Sequence, residues 1–180
     1  VKNRKLMIGI CLVMILIICV IVIVSRPMVY GNDTVSMEAL IAKEMDTEKS
    51  VDVFDTIDVE DYRIAGFVMG KAQLGYAAFK KNKSGNYEMT MAKNPSKTIP
   101  RGLDIAVSYF SYTTDDEFSN NLVVLSNNPQ LAEIEWTNKD NEDIRRIKVN
   151  TAPSITMIEF AEYNQESEYT FYDKGGQKIE

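Results

Sequence analysis

The hydrophobic positions of this chain change their period twice. From Leu6 to Val24 (LMIGICLVMILIICVIVIV) they are continuous, nineteen residues without a charge or a proline. From Thr34 to Met45 they fall at helical spacing, and from Ser50 onward they alternate as in strands. Nineteen apolar residues rising about 1.5 Å each make a helix of about 28 Å, close to the hydrocarbon thickness of a bilayer. Lipid offers backbone groups no partners, so a helix that pairs them internally is favoured there despite the many Ile and Val residues. The alternative is a buried core helix or strand; the length and the missing polar face argue against it.

The stretch TVSMEALIAKEM, Thr34 to Met45, predicts a short amphipathic helix. Asp33 or Thr34 is placed to cap it and Glu38 to sit in its first turn, while Met37, Leu40, Ile41 and Met45 share one face. That face either packs on the domain that follows or meets a helix of a partner. Between anchor and helix, SRPMVYGND (Ser25 to Asp33) is a short tether in which Pro27 and Gly31 interrupt helical continuation. Tyr30 suits either the headgroup level or an ordinary linker position.

Strands are expected at Val51 to Ile57, where Val51, Val53, Asp55 and Ile57 share a side, at Tyr62 to Met69, at Leu74 to Lys80 and at Tyr87 to Met91. Turns at Gly70-Lys71 and KNKSGN (Lys81 to Asn86) join them into an antiparallel meander. KNPSKTIPRG, Lys93 to Gly102, is the clearest internal boundary; its Lys93, Lys97 and Arg101 form either a basic patch for an anionic polymer or a solvated loop. Beyond it, Leu103 to Tyr112 reads as one or two strands, Thr113 to Asn121 as an acidic loop and Leu122 to Leu125 as a short buried strand. In Leu131 to Thr137, Leu131 and Glu133 face away from Ala132, Ile134 and Trp136. Asn138 to Asp143 is a hairpin loop, followed by strands at Ile144 to Val149, Ile155 to Phe160 and Tyr169 to Tyr172 and by a last turn and strand.

The pieces VVLSNNPQLAEIEW, IRRIKVN, SITMIEF and YTFYDKGGQKIE resemble a small β-sandwich module that recurs in uncharacterised membrane-anchored extracytoplasmic proteins of Gram-positive bacteria. The resemblance covers roughly the last third of the chain and implies an Ig-like C-terminal module. It carries over no functional residues.

The flanks of the apolar run set its orientation. Lys2, Arg4 and Lys5 precede it, only Arg26 follows closely, and the next charges, Asp33 and Glu38, are acidic, so the N-terminus is expected in the cytoplasm. The exit VIVIVSRPMVYG lacks an A-x-A-like site, which argues for a retained signal anchor over a cleaved signal peptide. Cys11 and Cys19 each follow Ile, unlike the small residue that lipoprotein processing resembles needing. A first residue of Val fits a non-AUG start or a trimmed upstream piece.

Four of the 20 basic residues lie in the first 26 positions. The remainder thus carries 16 basic against 26 acidic residues, a net charge of −10 that ill suits nucleic acid. Both cysteines lie in the apolar run, so the exported part must fold without a disulfide, as suits a bacterial exterior without disulfide machinery.

Composition also limits the chemistry. With no His, and no Cys outside the apolar run, Ser-His-Asp, Cys-His and His- or Cys-ligated zinc sites are unavailable there. Paired carboxylates remain, as in glycoside hydrolysis. Asp58, Glu60 and Asp61, and Asp115, Asp116 and Glu117, are the groups at hand, and their turn-like settings read as solvated rather than catalytic. Asn138, Asp140 and Glu142 alternate as calcium ligands do, but Asp143 stands at the sixth position and Val149 at the twelfth, where a calcium loop needs Gly and Glu. Trp136, the single tryptophan, reads as core rather than as a sugar platform. No catalytic, cofactor or metal residue is assigned.

The expected architecture is one N-terminal transmembrane helix plus a mainly-β (α+β) ectodomain, a short helix followed by an antiparallel meander and β-sandwich. Its divisions are residues 1–26 (tail and anchor), 27–49 (tether and helix), 50–100 (meander) and 101–180 (Ig-like module), the last two separate or one domain. The expected function is non-catalytic: an extracytoplasmic binding or accessory protein, its partner an envelope protein or a wall polymer. Two alternatives stand beside it: a carboxylate-dependent hydrolase of wall glycan, and a regulatory subunit of a membrane complex. A retained anchor predicts that mass spectrometry of the membrane fraction finds the N-terminal peptide still attached; a protein starting near Arg26 in the medium would refute it.

Overall fold

The computed structural model describes residues 14, 15, 17, 29–94, 104–114, 117–138, 143–160 and 167–179. Met14, Ile15 and Ile17 are helical, and the rest of the Leu6 to Val24 run lies outside the described residues, as does most of the Lys93 to Gly102 boundary. Among the described residues no helix is long and apolar enough to cross a membrane. What they form is mainly β, with antiparallel sheets and one short helix.

The helix, α1 (Thr34–Glu44), starts where its cap dictates. Asp33 is extended, and its carboxylate accepts the Ser36 N–H at 2.9 Å. The chain leaves at Met45 and turns through Asp46, whose φ of 46° ends the helical run. Met37 and Ile41 are buried, with Leu40 and Met45 packed beside them, so the expected apolar face packs on the fold itself. Glu38 departs from expectation. It lies in the second turn, beyond the exposed N–H groups, and its carboxylate accepts the Val53 N–H at 3.0 Å.

Strands β1 (Val51–Val59), β2 (Tyr62–Met69), β3 (Gln73–Lys81) and β4 (Tyr87–Lys93) form the first sheet in the order β1-β2-β3-β4, the meander its turns predict. β1 does not keep one alternation, however. A bulge at Phe54, between Val53 and Asp55, shifts the register, so Val51 and Val53 face α1 whereas Ile57 and Val59 face the opposite side. The expectation that Val53 and Ile57 share a side fails there.

The second sheet is β5 (Ile105–Thr114), β6 (Glu117–Ser126) and β9 (Ser154–Phe160), in the order β5-β6-β9. The third is β7 (Leu131–Asn138), β8 (Asp143–Lys148) and β10 (Ser167–Asp173), in the order β10-β7-β8. The acidic loop expected over Thr113 to Asn121 is instead a hairpin, with Thr114 opposite Glu117 and pairing continuous to Ile105 opposite Ser126. Backbone pairing carries it, while Ser111 Oγ donates to Asn120 Oδ1 at 2.7 Å and Ser119 Oγ donates to Glu159. Leu131 also departs from the alternation. A register shift at Ala132 returns it to the face of Ile134 and Trp136. The final strand reduces to a single bridge, Tyr172 with Lys178.

Three apolar layers hold these elements together. α1 and one face of the first sheet enclose Met37, Ile41, Ala65, Phe67, Ala77 and Phe79. The other face of that sheet and the second sheet share Ile64, Tyr76, Phe110, Val123, Leu125 and Ile155, so residues from both sides of the Lys93 to Gly102 boundary build one core. The second and third sheets enclose Ile105, Leu122, Val124, Ile134, Trp136 and Phe171. The buried Tyr76 hydroxyl donates to Tyr109 O at 2.9 Å, and burial pushes its pKa up. At Gly75 a Cβ would lie 2.3 Å from the Phe67 ring and 2.8 Å from Lys93 O, where backbone cannot retreat cheaply. Gly75→Ala is expected to cost about 1–3 kcal/mol through overpacking, read as a lower urea midpoint at unchanged slope.

Candidate functional site

The carboxylates singled out by sequence do not form a common site among the described residues. Asp58 closes a two-bonded fork with Arg63, at 2.7 and 2.8 Å, and that guanidinium lies 4.2 Å from the Tyr87 ring centroid. The Arg63 hydrogen bonds hold the Asp58 carboxyl below the usual carboxylate range, and the same bonds raise Arg63. Glu60 and Asp61 are exposed in the β1–β2 turn, and Glu117 is exposed at the start of β6. Asp115 and Asp116 lie outside the described residues, as do Asp140, Glu142, Lys97 and Arg101. No group of three or more His, Cys, Asp or Glu side chains among the described residues could hold a metal ion. Trp136 is 3% exposed in the innermost layer of the third sheet, with the Arg145 guanidinium 5.3 Å from its ring centroid, which is a core setting rather than an open platform.

A better candidate lies on the outer face of the third sheet, where register rather than sequence proximity gathers the groups. Glu133 pairs with Lys148 of β8 and Tyr172 of β10, and Glu135 pairs with Arg146 and Thr170. The Arg146 guanidinium donates to the Glu135 carboxylate at 2.7 Å and lies 3.8 Å from the Glu133 carboxylate. The Tyr172 hydroxyl donates to the other Glu135 oxygen at 3.2 Å, and Arg146 sits 5.6 Å from the Tyr172 ring centroid. The Glu135 bond raises the Arg146 pKa. Desolvation, followed by the Glu135 charge, raises that of Tyr172.

At the end of this face where β7 begins and β8 and β10 finish, a cleft of about 370 Å³ opens between Glu133, Lys148, Tyr172, Asp173 and Lys174. Its rim is built by the DKGG turn. Asp173 Oδ1 accepts the N–H groups of Gly175 and Gln177, both at 2.8 Å, and Gly176 takes a φ of 76° to close the turn. Both carboxylates of the cleft are therefore engaged, Asp173 by backbone amides and Glu133 by Arg146. Two lysines, Lys148 at the end of β8 and Lys174 in the turn after β10, add positive charge to the rim. The arrangement suits recognition of polar groups of either sign. Sequence reasoning missed it because Glu133, Glu135, Arg146 and Tyr172 meet only once three strands are in register. Its one visible signal was the Glu-x-Glu of β7 across a hairpin from Arg146 of β8.

Comparison with protein-family models, with curated proteins and with solved structures finds no match to this chain.

Asp58→Asn tests whether that carboxylate acts structurally. The pair is partly exposed, so it is expected to stabilise the fold by no more than about 1 kcal/mol. Because the folded pKa is depressed, that contribution is fully present above the unfolded value near 3.8 and is lost as pH falls through the lower folded value. Urea unfolding of both proteins from pH 7 to pH 2 should show the difference shrinking with acid; a constant difference would assign Asp58 another role.

Proposed function

We propose that this chain is a single-pass, membrane-anchored extracytoplasmic protein whose ectodomain binds an envelope protein or a wall polymer without turning it over. The N-terminus lies in the cytoplasm and the bulk of the chain outside the cell membrane. Several features support the anchor: the uninterrupted run from Leu6 to Val24, the basic residues before it, and the exposure of the helical Met14, Ile15 and Ile17. Residues 101–180 read as an Ig-like C-terminal module of the kind carried by membrane-anchored proteins of Gram-positive bacteria. The order β5-β6-β9 facing β10-β7-β8 supports this, because an Ig-type sandwich sets its first, second and E strands against its C′, C and F strands.

The observation that carries the binding reading is the outer face of the third sheet. It presents a cleft in which Asp173 accepts backbone N–H groups and Glu133 is ion-paired with Arg146, and its rim offers two lysines, a surface arranged for contact. Depressed pKa values at Asp33, through its Ser36 backbone bond, and at Asp58 run opposite to what a carboxylic proton donor needs. A second reading, a carboxylate-dependent hydrolase of wall glycan, draws on the fact that Glu133 and Asp173 line the same cleft.

Crosslinking the full chain in intact cells distinguishes the two. Capture of an envelope partner or wall fragment is expected through the third sheet. It should weaken for Lys148→Glu and Lys174→Glu and persist for Glu133→Gln. A glycan-cleaving activity abolished by Glu133→Gln or Asp173→Asn in a folded protein would establish the hydrolase instead.

A further inference from the structure

The three sheets end in the edge strands β1, β4, β5, β8, β9 and β10, and all of these edges but one are engaged. On β1 the Val53 N–H donates to Glu38, beside the bulge at Phe54. On β4 the Tyr87 N–H donates to Asn32 Oδ1 at 2.9 Å, and the Tyr87 carbonyl accepts the Gly31 N–H. The Tyr109 carbonyl of β5 accepts the Tyr76 hydroxyl, and the Glu159 carbonyl of β9 accepts from Arg145 at 2.8 Å. Along β10, the Ile179 N–H donates to Phe171 O at 2.9 Å and Lys178 bridges Tyr172. The exception is β8.

Continuing the β7–β8 register, Val149 lies opposite Ala132, and its N–H donates to Ala132 O at 2.9 Å. Antiparallel pairs alternate between those that exchange hydrogen bonds and those whose backbone groups point away. Asp143, Arg145 and Ile147 therefore bond β7, whereas Ile144, Arg146 and Lys148 direct their N–H and C=O groups outward. No backbone partner meets those groups among the described residues. All three residues are exposed, Ile144 at 60%. From Asp143 to Lys148 the pairing runs without a register shift, and no proline or glycine breaks the strand. Such an edge is a template for a further strand.

Charge selects the occupant. Ile144, Arg146 and Lys148 form one row on the outer face of the sheet, and a strand added at this edge runs directly beside that row, with Glu133 and Glu135 one strand further away. For a second copy of β8, the antiparallel register that pairs all three outward residues sets Arg146 against its own counterpart, and like charges directly opposite are destabilising. Carboxylates opposite Arg146 and Lys148 and an apolar side chain opposite Ile144 complement the row instead. Beyond Lys148 the edge leads into the cleft, where Lys174 adds further positive charge. The acidic charge of the chain as a whole opposes such a guest only weakly, since it is screened beyond about 8 Å. Resting on the binding reading above, we propose that the free edge of β8 receives an extended segment of a partner protein as an added antiparallel strand, its acidic side chains opposite Arg146 and Lys148 and an apolar one opposite Ile144. The backbone ladder supplies affinity and the alternate side chains supply selection.

The test uses the full chain in phosphatidylcholine vesicles and, as probe, a fluorescein-labelled peptide Thr-Glu-Thr-Glu-Thr-Val-Thr blocked at both ends. Fluorescence anisotropy is expected to show saturable binding. Methylating the backbone nitrogens of the two Glu and the Val should weaken it about tenfold or more. Ile144→Pro should do the same, because it removes an outward N–H and no bond to β7. Lys148→Glu should weaken binding of the same peptide and restore it to one whose first Glu is Lys, which fixes the antiparallel register. Circular dichroism checks that both variants keep their β signature. Absence of saturable binding, or binding indifferent to methylation, overturns strand addition. Where capture through the third sheet in cells nonetheless persists and is unchanged by Ile144→Pro, the binding reading stands without it; no capture by the unaltered chain overturns both. Self-association that Ile144→Pro abolishes overturns the acidic guest in favour of a second copy.

Discussion

The second sheet has no free face, and the rest of the structure follows from that. Along β6, Leu122 and Val124 point into the layer shared with the third sheet, while Val123 and Leu125 point into the layer shared with the first. Alternation normally gives a strand one wet side. Here successive residues of the central strand are dry on both, so neither outer sheet can detach without exposing one row of it. The −10 charge of residues 27–180 is accommodated because no charged side chain among the described residues is buried in these layers. The ion pairs that organise it, Asp58 with Arg63 and Glu135 with Arg146, are exposed enough to add little to stability. Burial must therefore carry a fold that has no disulfide to draw on.

Polar residues nonetheless reach the central sheet. Asn120, Asn121, Ser126, Ser154 and Thr156 are all buried. Asn120 is satisfied by Ser111, and Ser126 Oγ accepts the Asn128 N–H at 3.0 Å where β6 ends. Asn121 Nδ2 and Ser154 Oγ, by contrast, are buried without a partner among the described residues, a cost of about 1–3 kcal/mol for each unmet group that the surrounding apolar burial offsets.

What could be read from the sequence was whatever depends on neighbours in the chain. The Asp33 cap, the apolar face of α1, the span of β2 and the four-strand meander all rest on local spacing. The departures among the strands share one cause, which is that pairing across strands overrode local pattern. The bulge at Phe54 reversed the sides of β1, and the shift at Ala132 returned Leu131 to the core, neither with a glycine or proline to mark it. TTDDEFSNN looked like a loop because its side chains are polar, yet a ladder needs only backbone groups and an outward direction for those side chains. The carboxylates conspicuous in sequence, clustered in turns, proved scattered or structural where described. Glu133, Glu135, Arg146 and Tyr172, unremarkable singly, became a surface once β10, β7 and β8 were aligned.

From Val29 onward the chain before α1 packs against the core. A Cβ at Gly31 would come within 2.5 Å of the Phe79 ring, so only glycine lets the chain lie against that ring while its N–H reaches Tyr87 O. Phe79 also packs in the layer with Met37 and Ile41, which makes strap, helix and first sheet one body. Glu38 reinforces it by bonding β1 at the bulge, where the edge strand's own pairing is interrupted. A displacement at Gly31 would then be received by packed side chains. It passes through the doubly buried second sheet to the third, whose outer face stands about 20 Å from the first sheet at the usual spacing of about 10 Å between stacked sheets. The doubly buried middle sheet thus serves position as well as stability, because it holds the polar outer face of the third sheet at a set distance from the first sheet and α1.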